Sequence, residues 1–266
     1  MAGVPATADN APPVDEPIVD SASSQTKSVF RTVGKDAKHL LLSPLRADKR
    51  HALAVGAIAA TVGGLFLADD EIRNLVQRNR GDAGDRIARG LEDVGSWPTV
   101  LAGNLSLVGV GWWRREDRAG DKLFRTALVS LEAQVFTGTI VGAAKLAVGR
   151  GRPHEGRGAS SFSPFGEFDF NRSFPSDHAA RAFAVAAVFA DRYEQPVAVL
   201  AYTAASLIGA SRIYIDDHFA SDVFAGAALG LTVGKVLSSR HRNDTGFTVA
   251  PQMLGDGVGL SLRYVF

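Results

Sequence analysis

The chain has 266 residues, 46% of them hydrophobic and 21% charged, enough for one large domain with a sizeable core. Its formal net charge of +1 gives no reason to expect nucleic acid as a partner. Cysteine is absent, which excludes a disulfide framework and a thiolate metal site.

Residues 1–26 are rich in Pro, Ala, Asp and Ser without periodicity and read as a disordered tail. They lack a basic region followed by an apolar one, so they do not look like a cleaved secretory signal. Residues 27–50 read as a basic amphipathic helix and linker. Wound at about 100° per residue, Lys27, Arg31, Lys35 and Lys38 fall on one side, and Val29, Phe30, Val33, Ala37, Leu40 and Leu41 on the other. Such a helix either lies on an anionic membrane surface or docks on its own domain with a solvated charged face.

Between 51 and 238, six apolar segments follow one another, at 52–68, 98–113, 127–148, 179–190, 196–210 and 223–237. Each exceeds a typical strand, and Ala and Leu outnumber the β-branched residues, so the expectation is six helices and an all-α fold. Segment 52–68 is the best candidate for a membrane span. It is uncharged, carries Gly56, Ala60 and Gly64 at a spacing suited to close helix packing, and is bracketed by Lys49-Arg50 and Asp69-Asp70-Glu71. Several others are shorter than the roughly 20 residues a span needs, and Glu132 and Arg181 interrupt two of them, so a soluble bundle stays open. The tail, 239–266, changes period. Val258, Leu260, Leu262, Tyr264 and Phe266 alternate after a Gly-Asp-Gly turn, which predicts a β-hairpin.

Three clusters at helix ends carry the chemistry. In KLAVGRGRP, Lys145 precedes Arg152 by seven residues, and Gly149, Gly151 and Pro153 break the helix around them. In SFPSDH, Ser173, Pro175 and Ser176 are helix-start residues with His178 in the first turn, where free N–H groups and the helix dipole make an anion site. In SRIYIDDHFASD, Arg212 is an upstream anion clamp, and His218 and Asp222 stand at i and i+4. Three cations, a hydroxyl, a helix N-terminus and two histidines suit a phosphoryl group, whose transition state spreads charge over its equatorial oxygens. None of the three clusters offers a metal site.

The chain resembles the type 2 phosphatidic acid phosphatase and vanadium haloperoxidase superfamily, whose motifs are K-x6-R-P, P-S-G-H and S-R-x5-H-x3-D. The first and third are matched completely, and the second except for Asp177 in place of Gly. The resemblance covers about residues 50 to 238. It implies a membrane-embedded six-helix bundle and a phosphatase without metal or cofactor, acting on a phosphorylated lipid. His218 would be the nucleophile, Asp222 would orient it, and His178 would be the acid and then the base. Lys145, Arg152, Ser176 and Arg212, with the backbone N–H of Asp177, would hold the phosphate. The Asp177 carboxylate would repel a bound anion and is expected to point away. A soluble acid phosphatase, a haloperoxidase and a silent membrane interaction protein are the competing readings. With 27–50 on the cytoplasmic side, six spans would bring all three motifs to the outer face of a bacterial-type inner membrane, and 69–95 would be an outer loop.

Overall fold

The computed structural model describes residues 34–36, 38, 49–166, 172–242, 247–254 and 257–264. The expected tail at 1–26 lies outside these. So does most of the expected basic helix, of which residues 34–36 and 38 are helical.

All six apolar segments are helical. They lie within α1 (Lys49–Arg78), α3 (Trp97–Trp113), α4 (Arg118–Val148), α5 (Asp177–Arg192), α6 (Val197–Tyr214) and α7 (Ala220–Arg240). A seventh helix, α2 (Asp82–Gly95), falls in the stretch expected to be an outer loop. Its sequence, DAGDRIARGLEDVG, has too many charges to register as an apolar segment, yet α2 packs against α6. Helix α1 also runs seven residues past the acidic triplet expected to end it, to Arg78. Asp69 is not a flank facing water: it is buried and hydrogen-bonded within the bundle.

Helix α5 packs against α4, α6 and α7. Its buried residues are small, Ala179, Ala180, Ala184 and Ala187 among them. From α7 it is met by Gly226, Gly230 and Gly234, one per turn. A Cβ at these positions would lie 2.4 Å from Ser176 O, 1.9 Å from Ala180 O and 2.5 Å from Ala184 O. The two backbones therefore touch along three turns, and no side chain larger than hydrogen fits between them. The small residues of α1 make no such contact among the described residues: nothing lies within 4 Å of a Cβ built at Gly56 or Gly64. Below the glycine contact, Val129, Ala133, Ala184, Val188, Val233 and Leu237 form an apolar core.

Among the described residues, four helices, α1, α4, α6 and α7, are long and apolar enough to cross a membrane. The other two expected spans, α3 and α5, have 17 and 16 residues and are not among these candidates. Leu53, Val55 and Leu67 of α1 are exposed, as a lipid-facing helix requires.

The two charges inside apolar segments are both paired. Arg181 donates to Asp177 at 2.8 and 2.9 Å and to Gln134 O at 3.3 Å. Glu132 Oε2 lies 3.0 Å from His241 Nε2, which is also 3.3 Å from Asp36 Oδ2, while Arg240 Nε donates to Asp36 Oδ1 at 2.5 Å. This gathering of Asp36, Glu132 and His241 within 4.8 Å joins residues too far apart in sequence to be anticipated. Burial alone would push His241 down, but the two carboxylates raise it to about 10, so it is the cation of the cluster.

In a separate unit, the tail forms the expected hairpin. Strands β1 (Phe247–Leu254) and β2 (Gly257–Tyr264) pair antiparallel, from Phe247 opposite Tyr264 to Leu254 opposite Gly257.

Candidate active site

The three motifs meet at one end of the bundle, where α4 and α6 end and α5 and α7 begin. Lys145 lies in the last turn of α4. The helix stops at Gly149, whose φ of 62° is left-handed and whose Cβ would lie 1.9 Å from Ser163 O, so only glycine serves. Gly149 N–H caps Lys145 O at 2.8 Å. Lys145 is buried and its Nζ donates to Arg172 O.

Ser176 is the N-cap of α5, its hydroxyl accepting a long 3.5 Å bond from Ala179 N–H. The Asp177 carboxylate pairs with Arg181 as described, and its charge is also felt by Lys145. His178 follows, with Nε2 buried and without a hydrogen-bond partner among the described residues. Burial, and after it the charge of Arg212, pulls His178 down to about 3, so its ring is neutral in the resting protein.

Between α6 and α7 the chain turns at Asp216, whose φ of 66° is left-handed, a conformation Asp tolerates better than most residues. Arg73 of α1 holds this turn by two bonds of 2.6 Å to the Asp216 carboxylate. The N–H groups of Asp217 and His218 both return to Arg212 O, at 3.0 and 3.1 Å. His218 is buried at 2% exposure. Burial, aided by the Lys145 and Arg152 charges, holds it below the ordinary histidine range against the pull of Asp222. A neutral imidazole with an available lone pair is the form a nucleophile requires.

Asp222 accepts three bonds: from Phe219 N–H at 2.8 Å, Arg150 Nη1 at 2.6 Å and Ser173 Oγ at 2.5 Å. Its Oδ2 lies 3.8 Å from His218 Nδ1, beyond hydrogen-bond length. The Ser173 hydroxyl, 3.4 Å from Nδ1, links the two. The carboxylate expected to touch the imidazole thus reaches it in part through a serine that the sequence presents as a helix-start residue.

Behind Asp222 stands a second layer that the motifs do not announce. Arg150 is 1% exposed and bridges Asp222 to Asp69 of α1, with Nη2 2.8 Å from Asp69 Oδ2. Asp69 also accepts from Ser221 N–H at 3.0 Å and Ser221 Oγ at 2.5 Å. The guanidinium is stacked against Phe219, Phe66 and Phe162, at 4.3, 4.8 and 5.8 Å from the ring centroids. Arg150 occupies an unspecified position of the first motif, so spacing gives no hint of it.

On the other side of His218 are Arg152 and Arg212. Arg152 Nη1 lies 2.5 Å from Asp217 Oδ1, and Arg212 Nη2 donates to Asp217 Oδ2. Arg212 Nη1 is also 2.8 Å from Glu92 Oε1 of α2, close enough for ion pairing but not aligned as a hydrogen bond. Burial would raise Asp217, but Arg152, Arg212 and His218 outweigh it and hold the carboxyl below its ordinary range. His218 thus stands between an anionic side, which steadies its ring, and a cationic side able to receive an anion.

Residues 126–245 match the model of the PAP2 superfamily, the type 2 phosphatidic acid phosphatases of the sequence resemblance. Over this region the chain is a member of the PAP2 superfamily. The match takes in all three motifs and leaves out Asp69 and Arg73 of α1, which the PAP2 residues nevertheless contact. The lipid A 1-phosphatase of Porphyromonas gingivalis is 34% identical over 198 residues, covering 73% of this chain and 39% of that protein. The lipid A 1-phosphatase of Rhizobium johnstonii is 34% identical over 131 residues, covering 43% of this chain and 53% of that protein. This chain therefore spans well under two thirds of the length of these relatives. The crystal structure of a transmembrane PAP2-type phosphatidylglycerolphosphate phosphatase from Bacillus subtilis shares the fold. The TM-score is 0.50 at 20% identity, with 80% of this chain and 96% of that one covered.

Proposed function

We propose that this PAP2 protein is a membrane phosphatase that hydrolyses a lipid phosphate or diphosphate through a phosphohistidine, with no metal required. The observation that carries the reading is the placement of His218: buried, held below the ordinary histidine range, steadied at Nδ1 by Ser173 and Asp222, and under the charges of Lys145 and Arg152. His218 Nε2 attacks phosphorus while the bond to the leaving oxygen breaks, and His178 delivers a proton to that oxygen. His178 then takes a proton from water, which attacks phosphorus and breaks the P–N bond. Charge on the equatorial oxygens is met by the cations and by the N–H groups at the start of α5. His178 is neutral in the resting protein chiefly because it is buried and then because Arg212 is near; an incoming phosphate offsets the cationic part of that penalty and favours the protonated ring.

The names of the relatives support a lipid A 1-phosphate as substrate. The four candidate spans favour a lipid substrate over the soluble phosphomonoesters of a periplasmic acid phosphatase. If Lys27, Arg31, Lys35 and Lys38 stay in the cytoplasm, the site faces the outer side of the inner membrane. The test is turnover by the purified protein of lipid A 1-phosphate, phosphatidylglycerol phosphate and an isoprenoid diphosphate, all in excess chelator. Activity on at least one, inhibited by vanadate and abolished by His218→Ala, is expected. Loss in chelator with recovery on adding a divalent metal defeats the mechanism.

A further inference from the structure

The two arginines assigned to the phosphate already hold an anion. Arg152 meets one oxygen of Asp217 and Arg212 the other, so a single carboxylate bridges both guanidinium groups. The Asp217 side chain is 13% exposed. Its charge is felt by Lys145 and His178 as well as by Arg152, Arg212 and His218, which puts it inside the ring of groups meant for substrate. Its neighbour Asp216 is turned away to Arg73, so the Asp-Asp pair is not a solvated acidic run.

The clamp has donors to spare. Arg212 gives Asp217 one N–H, and its buried Nε has no hydrogen-bond partner among the described residues. A buried guanidinium left with unused donors suits an acceptor with more oxygens than a carboxylate has. A phosphate and a carboxylate cannot both occupy the fork, because like charges at contact distance repel strongly in a buried site. Resting on the phosphatase reading above, we infer that Asp217 is an internal competitor for the substrate's phosphate. In the substrate-free protein its carboxylate stands where two phosphate oxygens go, and the phosphate must displace it to reach His218. The half-exposed His154, with Nδ1 3.5 Å from Asp217 Oδ1, gives the displaced carboxylate a partner at the rim.

This makes Asp217 a determinant of specificity. Binding is weakened by the fraction of protein in which the clamp is closed on Asp217. A doubly charged terminal phosphate attracts both arginines more strongly than a carboxylate does, and a singly charged diester does not. The site therefore discriminates for terminal phosphates before any chemistry occurs.

The experiment measures dissociation constants for inorganic phosphate and orthovanadate with the full chain in detergent, comparing wild type with Asp217→Asn and Asp217→Ser. The amide keeps the shape and removes the charge, and the smaller serine serves should the amide disturb folding. The expected result is tighter binding of both anions, by about ten-fold or more. The ligand-free melting temperature should fall at the same time, because two arginines lose the carboxylate they share. A residue that merely positions the arginines would lower affinity and melting temperature together. Unchanged or weaker anion binding by a folded variant overturns the inference. Failure of the wild type to hydrolyse any phosphorylated lipid would defeat the phosphatase reading instead, since anion binding is read without turnover.

Discussion

Ser173 donates a 2.5 Å hydrogen bond to Asp222 and stands 3.4 Å from the Nδ1 of His218, so that the carboxylate and the imidazole share one hydroxyl. Removing that hydroxyl separates the orientation of His218 from its burial. Ser173→Ala should lower kcat by about 10- to 100-fold, the usual effect of losing a group that orients a reacting side chain, with KM little changed. Asp222→Asn should cost more, because the amide also favours the wrong imidazole tautomer. Steady-state kinetics of both variants on one lipid phosphate checks this. Equal losses in the two would mean that Ser173 is the sole route between the pair.

Arg150 is the cation shared by Asp69 and Asp222, buried with both. Arg150→Met leaves two carboxylates without a counter-ion and should destabilise the protein by about 3–5 kcal/mol. Adding Asp69→Asn should recover part of that loss. Thermal unfolding in detergent measures both steps, and wild-type stability of Arg150→Met would show that the two carboxylates have another source of compensation.

The glycine seam between α5 and α7 sets the separation of Ser176 and His178 from Asp222. Gly230→Ala places a Cβ against Ala180 O and should cost about 1–3 kcal/mol. Turnover should fall with it as the two helix starts move apart. Gly64→Ala on α1 meets nothing within 4 Å and should stay within about 0.5 kcal/mol of wild type. Melting temperatures of the pair decide between a packed seam and a loose one.

His241 gives stability a pH dependence remote from the phosphate site. Its folded value is about 10 against an ordinary 6.5, so the folded state binds its proton more tightly than the unfolded chain does. The stabilisation from Asp36 and Glu132 is complete below about 6.5 and is lost as pH rises towards about 10. Wild type should therefore lose melting temperature across that window relative to His241→Gln. Parallel curves for the two proteins would remove His241 as the titrating group.

His178 and His218 separate by leaving group. His178→Ala loses the acid, a contribution of about 10²- to 10⁴-fold, and should be rescued in part on an aryl phosphate whose leaving group needs no proton. His218→Ala should be inactive on alkyl and aryl substrates alike. Rescue of His218→Ala alone would reverse the two roles.

Hydrophobic patterning by itself determined that this chain is helical and where six of its helices lie, because burial and membrane contact both demand long apolar runs that a reader can count. The helix-end motifs likewise named Lys145, Arg152, His178, Arg212, His218 and Asp222, since helix breaks and caps are local and leave local signatures. Only the tertiary structure placed Arg150, Asp69 and Ser173 behind His218, because their partners lie 72, 81 and 49 residues away in sequence. Pairing across such distances has no period and no neighbour rule. It also decided which glycines matter, because the small residues of α1 and α7 look alike in sequence and differ only in what stands opposite them. And it turned Asp217 from one of two adjacent acids into a bridge between Arg152 and Arg212, because the left-handed turn at Asp216 sends one carboxylate to Arg73 and the other into the cationic ring.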